Sequence, residues 1–356
     1  MQKRNHMIDL LKFIFSLVIM LRHSEMMFQG DLKYKHIPFL GGSRAVEFFF
    51  IVSGYLIAAA CLNRKYDNAM EYMWHKIKPF LLPVWISWLV SFIGIHAISE
   101  NVDIQTILSD ALYSIFDLLF LRNAGFRGIS YIGTSWYISA LMLSTLIICV
   151  PLMRYRETYV FWVAPVSAIM ILGHLSHECG HIVDIDQWMG IAYKCQLRAF
   201  AEINLGIFLY GVCLYLKKVN FTGLGRCLLG CIEMAGYGIA TAYMLYEYNT
   251  YKYDFEMVIL LSVSILITFS EKTFSCLIGE KAPEIFGWLG KYSLYIYLDQ
   301  KVIYNIVPYF FGDKTYWEMI VLYAAGVMLT ALFVMKCVEL IRDHALPAVK
   351  GLLIES

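Results

Sequence analysis

About ten apolar runs, each near 20 residues long, follow one another through the chain. A run of that length is what an α-helix needs to cross a bilayer. It also keeps every backbone N–H and C=O bonded within its own segment, which hydrocarbon demands. The runs are 7–29, 41–63, 79–99, 131–153, 158–176, 197–216, 225–246, 254–271, 284–311 and 315–341. The expected fold is an all-α polytopic membrane protein, one domain over residues 1–356, with about ten transmembrane helices around a polar internal cavity. The run 284–311 is long enough to tilt or kink, and Pro308 near its end predicts a break there. Segment 107–121 is apolar but holds Asp110 and Asp117, so it reads as an interfacial or re-entrant helix rather than a span.

Composition agrees. The chain is 59% hydrophobic and 16% charged, against about 25% charged in soluble domains. A net charge of +1 leaves no basic field for nucleic acid. Most of the nine cysteines sit in apolar runs and read as small hydrophobes. Only Cys179 and Cys195 share an outer loop, where a disulfide is one option. The first run is too long for a cleavable signal peptide and lacks a small-residue cleavage site. With the N-terminus inside, fifteen Lys and Arg fall in inner segments and eight in outer ones. Lys3, Arg4, Arg64, Lys65, Lys76, Lys78 and Lys350 are then inside, and Lys33 and Lys35 outside. That bias predicts a cell-membrane protein with both termini cytoplasmic and segment 174–181 outside.

The first run carries Asp9, Lys12, Arg22 and His23. Lys12 and His23 are eleven residues apart, so they share a helix face, separated by about 16 Å along the axis. Each charge in hydrocarbon costs on the order of 2.5–3.5 kcal/mol, which makes such residues functional candidates. Lys12 lies toward the inner face and His23 toward the outer. At the start of the second run, Arg44 and Glu47 are spaced to pair on one face, and Ser53-Gly54 permits close helix contact. Trp136 and Tyr137 read either as an interfacial aromatic belt or as a wall for substrate. Lys76 and Lys78 are either topology charges or point charges for phosphate. His174, His177 and His181 share one helical side next to Glu178 and Cys179, but match no standard zinc spacing, so a polar outer loop is favoured and no metal is expected.

The stretch Ile8-Asp9-Leu10-Leu11-Lys12, with His23 beyond it and then Gly41-Gly42, Val46-Glu47-Phe48-Phe49-Phe50 and Ser53-Gly54-Tyr55-Leu56-Ile57, resembles the integral-membrane acyltransferase 3 family. Further likenesses follow in order: Ser135-Trp136-Tyr137-Ile138-Ser139, Arg198-Ala199-Phe200 through Gly206, and Gly290-Lys291-Tyr292-Ser293 through Ile296-Tyr297-Leu298. They cover almost the full length. The resemblance implies transfer of an acyl group, usually acetyl from acetyl-CoA, to a hydroxyl of a cell-surface or lipid-linked carbohydrate. The family's usual first-helix Arg is Lys12 here, Pro79 stands where an Arg is common, and Gln300 replaces a frequent His. Lys keeps the charge but not the planar fork.

A histidine suits general-base work near neutral pH, and such a base needs a partner that orients it. His23 and Glu47 are therefore the catalytic candidates. Lys12, Arg44, Lys76, Lys78, Trp136, Tyr137, Arg198, Glu202 and Gln300 are the candidates for donor or substrate binding. Acyl-CoA is expected as co-substrate rather than bound cofactor, with a glycan acceptor and the bilayer as the other partners. Two other readings stand beside this one: a transporter of polysaccharide or lipid-linked glycan, and a structural membrane partner without chemistry. No clear two-half hydropathy repeat supports the first, and ordered motifs are left unexplained by the second.

Overall fold

The computed structural model describes residues 4–28, 39–63, 65–100, 102–246 and 251–345. Lys3, Gln29, Lys33, Lys35, Arg64 and Lys350, used above for run limits and charge, lie outside them. Among the described residues every extended element is helical and no strand occurs. The order is α1 (His6–His23), α2 (Ala45–Leu62), α3 (Ala69–Ile98), α4 (Ile104–Tyr113), α5 (Ile115–Leu118), α6 (Ser135–Thr158), α7 (Ala164–Cys179), α8 (Lys194–Leu216), α9 (Gly223–Tyr246), α10 (Asp254–Ser270), α11 (Phe274–Lys281), α12 (Pro283–Leu298), α13 (Gln300–Phe311) and α14 (Tyr316–Leu340). Among the described residues, six helical stretches are long and apolar enough to cross a membrane, or seven if the pair α10 and α11, bent by 68°, forms one span.

The centre is α2. In its apolar stretch 72% of residues are buried, against 22% in α3, which presents Trp74, Trp85, Leu89 and Ile93 outward. Its main neighbour is α8, and the two run parallel: Glu47 meets Arg198 at one end, and Asn63 accepts from the Tyr210 hydroxyl at the other. Glycine makes this approach possible. A Cβ on Gly54 would stand 2.0 Å from the Ile203 carbonyl oxygen, and one on Gly206 would stand 2.0 Å from that of Ile51. Small residues at such contacts let backbones touch. The Ser53-Gly54 contact expected from sequence is therefore present, with Gly206 as its reciprocal. α1 packs on α12 in a similar way. Its N-terminus is capped by the Asn5 side chain, which accepts from the backbone N–H groups of Met7 and Ile8.

The stretch Ser135–Cys179 has 45 residues, about 67 Å if straight, twice a bilayer core. It doubles back instead. Arg156 interrupts it with φ 37°, and Tyr159 just beyond donates to the Asn204 side chain midway along α8. At the far end Cys179 donates to Gln187, and His181 lies 3.1 Å from Lys194 at the start of α8. α7 thus returns antiparallel along α8.

Two expectations are corrected. The break in 284–311 falls at Asp299, between α12 and α13, while Pro308 sits inside α13. The cause is local. The Tyr297 carbonyl accepts from the Thr134 hydroxyl at 2.8 Å, which competes with the helical bond it would otherwise take. Segment 107–121 is two short helices, not one. α4 exposes Ile104, Leu108 and Leu112 at i, i+4 spacing, as a helix lying along an interface would. α5 ends by burying Asp117, which accepts from the Ser130 and Ser135 hydroxyls and the Tyr131 N–H.

Gly206→Ala places a methyl group into the α2 backbone, where no flexible side chain can yield. The expected loss is about 1–3 kcal/mol, the range for overpacking, read as a lower melting midpoint in detergent. An unchanged midpoint would contradict the α2–α8 contact.

Candidate active site

Charges buried in a helical bundle must be paired, because an isolated one is costly in hydrocarbon. At the Lys194 end of α8, Arg198 binds two carboxylates at once. Its Nε donates to Glu47 at 2.8 Å and lies 3.3 Å from Glu202, while its Nη2 pairs with Glu47 again and donates to the Ser43 carbonyl at 3.3 Å. Glu202 is one turn beyond Arg198 on the same helix, so the i, i+4 spacing brings it under the guanidinium. Arg44 does not pair with Glu47, although their spacing permits it. It points the other way and pairs with Asp254 at the start of α10, between the rings of Tyr243 and Tyr251. The Ile182 N–H donates to the same Asp254 carboxylate. A carboxylate 210 residues away overrides the local spacing.

Two clefts meet inside the bundle. The first, about 500 Å³, is ringed by five cations: Arg4, Lys12, Lys76, Lys291 and Arg342. Deeper in, its walls turn apolar and aromatic, with Phe49, Val52, Phe80, Leu141, Tyr137 and Tyr297. Asp9 moderates the cationic mouth, lying 2.6 Å from Arg4 and 3.7 Å from Lys12. The second cleft, about 420 Å³, is lined by His23, Arg22, Ser43, Trp136 and Arg198, and by the loop residues Val183 to Gln187. Ile19, Val46 and Tyr297 line both. They form a septum between a cationic cleft at the N-terminal end of α1 and a histidine-bearing cleft at its C-terminal end.

His23 closes α1, and its Nδ1 lies 2.5 Å from the Gln300 side-chain oxygen. With the amide oxygen facing the ring, this contact selects the tautomer in which Nδ1 donates and Nε2 keeps its lone pair. Gln300 reaches His23 because the helix breaks at Asp299, which turns the first residue of α13 back toward α1.

The sequence candidates thus separate. His23, Trp136 and Arg198 line the second cleft, whereas Lys12, Lys76 and Tyr137 line the first. Lys12 and His23 share a stripe but not a cavity, because the septum stands between them. Glu47 and Glu202 line neither cleft and act on Arg198 from behind. Gln300 holds His23. Arg44 is buried in its pair with Asp254, and Lys78 is exposed on α3 and lines neither cleft. Trp136 and Tyr137 are buried or half-buried walls rather than a belt. Sequence reasoning passed over Arg4, Lys291, Arg342 and the 183–187 loop. Lys291 did carry a signal, since it lies in the Gly-Lys-x-Ser segment. His177 is exposed, while His181 accepts the ring of Tyr251 as a stacking partner at 4.6 Å. Cys179 and Cys195 are free thiols, with Cys195 buried.

The family model for the acyltransferase 3 domain matches residues 5–336. The chain belongs to the acyltransferase 3 family. No curated protein and no solved structure matches it. This acyltransferase is a multi-pass membrane protein, and the matched region holds both clefts, the septum and every side chain that contacts His23 or Arg198 above, except for Arg4 and Arg342 at the rim of the first cleft.

Gln300 supplies a direct check on the acyltransferase site. Gln300→Leu removes the acceptor at Nδ1, and acyl transfer in membranes is expected to fall at least about tenfold, or about 1.4 kcal/mol in barrier. Gln300→Glu keeps an acceptor there and should retain most of the rate. Equal rates in all three proteins would show that this hydrogen bond does not matter.

Proposed function

We propose that the protein transfers an acetyl group from acetyl-CoA in the first cleft to a hydroxyl of a cell-surface or lipid-linked carbohydrate in the second. The observation that carries this reading is the shared septum: a cationic cleft and a histidine-bearing cleft meet at three side chains. Five cations suit the phosphates of a CoA thioester, with Arg4 and Arg342 able to take phosphate through a planar fork. The apolar depth suits the pantetheine arm. The second cleft offers the mix that polyhydroxyl ligands use, namely acids and an amide at Asp184, Asp186 and Gln187, guanidinium groups at Arg22 and Arg198, and the indole face of Trp136.

In the proposed reaction His23 Nε2 takes the proton of the acceptor hydroxyl, and the alkoxide oxygen attacks the thioester carbonyl. The tetrahedral intermediate collapses by breaking the C–S bond, and the imidazolium returns the proton to the departing sulfur. The products are an O-acetyl ester and CoA thiol, with no proton or electron left over. Gln300 fixes the imidazole tautomer, and Glu47 with Glu202 holds Arg198 at the acceptor. On this reading the CoA side is the cytoplasm, both termini lie there, and α1, α2, α3, α6, α7, α8, α9, α10, the broken pair α12–α13 and α14 cross, matching the ten runs seen in sequence.

The septum supports a small acyl group. Ile19 and Val46 are β-branched residues in helices, where one rotamer dominates. Tyr297 is held twice by Thr134, donating its hydroxyl to the Thr134 carbonyl at 2.9 Å and accepting at its own carbonyl. Such a wall yields little. Val46→Ala is expected to raise the ratio of propionyl to acetyl transfer about tenfold, within the range for one methylene in a pocket. An unchanged ratio in a folded, active variant would sever the septum from acyl choice.

The direct test is mass spectrometry of surface glycans from cells with and without the protein. We expect an acetyl mass increment that disappears with His23→Ala while the protein still inserts. A change in glycan quantity with no change in mass would favour transport instead.

A further inference from the structure

A third cleft, about 580 Å³, opens at the same end of the bundle as the cationic mouth of the first. It lies between the α6–α7 turn, the last turns of α8 and the end of α2. Three cations line it: Arg154, Arg156 and Lys218. None of them makes an ion pair among the described residues, and Glu157 is the one carboxylate in the lining. The Arg154 guanidinium lies 5.4 Å from the Tyr155 ring centre, and the Lys218 ammonium lies 5.4 Å from that of Tyr215. The aromatic faces order the cations without neutralising them. Phe161 and Leu214 continue the wall as an apolar surface, with Leu214 exposed.

Arg156 sharpens the point. Its φ of 37° and ψ of −102° lie where side-chain-bearing residues are rarely found. Glycine would take this turn without strain. Strained conformations of this kind gather at sites where the side chain is needed. An arginine here delivers a third charge to the cleft at a cost that the fold does not otherwise require.

We propose that this cleft holds the phosphate diester headgroup of an anionic phospholipid, with its acyl chains lying along Phe161 and Leu214. Two guanidinium forks and an ammonium match a phosphate diester in charge and hydrogen-bond geometry. Basic pockets between transmembrane helices are a recognised seat for anionic headgroups. An apolar wall beside the cations favours a lipid over a free anion. The site shares no residue with either cleft of the proposed reaction, and it stands whether or not that reaction is acetyl transfer.

Delipidated full-length protein in neutral detergent tests the proposal by thermal unfolding and native mass spectrometry. The probes are cardiolipin, phosphatidylglycerol, phosphatidylcholine and inorganic phosphate. For the wild type we expect the two anionic lipids to bind and to raise the melting midpoint, with little effect from the zwitterionic lipid. Arg154→Gln with Lys218→Gln should weaken that binding at least tenfold. Arg156→Gly is the decisive variant. It removes a charge while relieving the backbone, so without lipid it should melt no lower than the wild type, yet gain less from anionic lipid. Undiminished lipid protection in Arg156→Gly, or equal protection by phosphatidylcholine, would overturn the proposal. Protection by inorganic phosphate equal to that by lipid would also overturn it, by making the ligand a free anion.

Discussion

The interaction on which the rest depends is the guanidinium of Arg198 clasped by Glu47 and Glu202. It joins α2 to α8, whose backbones nearly touch at the two glycines beyond it. Charge and contact need each other there. The glycines at 54 and 206 bring α2 and α8 close enough for Glu47 to reach Arg198. The ion pair in turn compensates for groups that would otherwise face a low dielectric alone, a situation that costs several kcal/mol per ion. The second cleft inherits its Arg198 wall from this arrangement. The Arg44–Asp254 pair repeats the logic nearby, anchoring the start of α2 to α10 and to the chain at Ile182.

From that anchor the bundle divides its interior in two. Helix α1 contributes to both halves, with Lys12 at one end and His23 at the other, and Ile19 between them. The helix break at Asp299 completes the division. It frees Gln300 to face His23 and sets Tyr297, fixed through Thr134, across the middle. Loop 130–135 is itself held by Asp117 through two serine hydroxyls and a backbone N–H. A carboxylate in the short helix α5 therefore fixes, at second hand, the wall between the two clefts.

Much of this was legible in the sequence, because hydrocarbon punishes disorder in pattern. Helix class, the long apolar stretches, the Ser53-Gly54 contact and the family followed from composition, run length and ordered motifs. His23 and Lys12 were visible as charges in an apolar run. What was not legible was partnership. Spacing could pair Arg44 with Glu47, yet a residue 210 positions away took Arg44. Pro308 looked like the helix breaker, yet a threonine hydroxyl in the distant loop before α6 took the carbonyl that mattered. The common stripe of Lys12 and His23 suggested one cavity, because a one-dimensional pattern carries no record of what is inserted between two points on a face. Arg4 and Arg342 looked like ordinary terminal charges until the fold gathered them at one rim.

Trp136 and Tyr137 are neighbours in sequence, yet they wall opposite clefts. Successive side chains on a helix point about 100° apart, so a single turn at the start of α6 looks into both compartments. A rotation of that turn that widens one cleft must narrow or reshape the other. Occupancy on one side is then felt on the other through one peptide bond, and thermodynamic linkage makes the effect equal in both directions. The helix is a lever whose fulcrum lies between two adjacent residues.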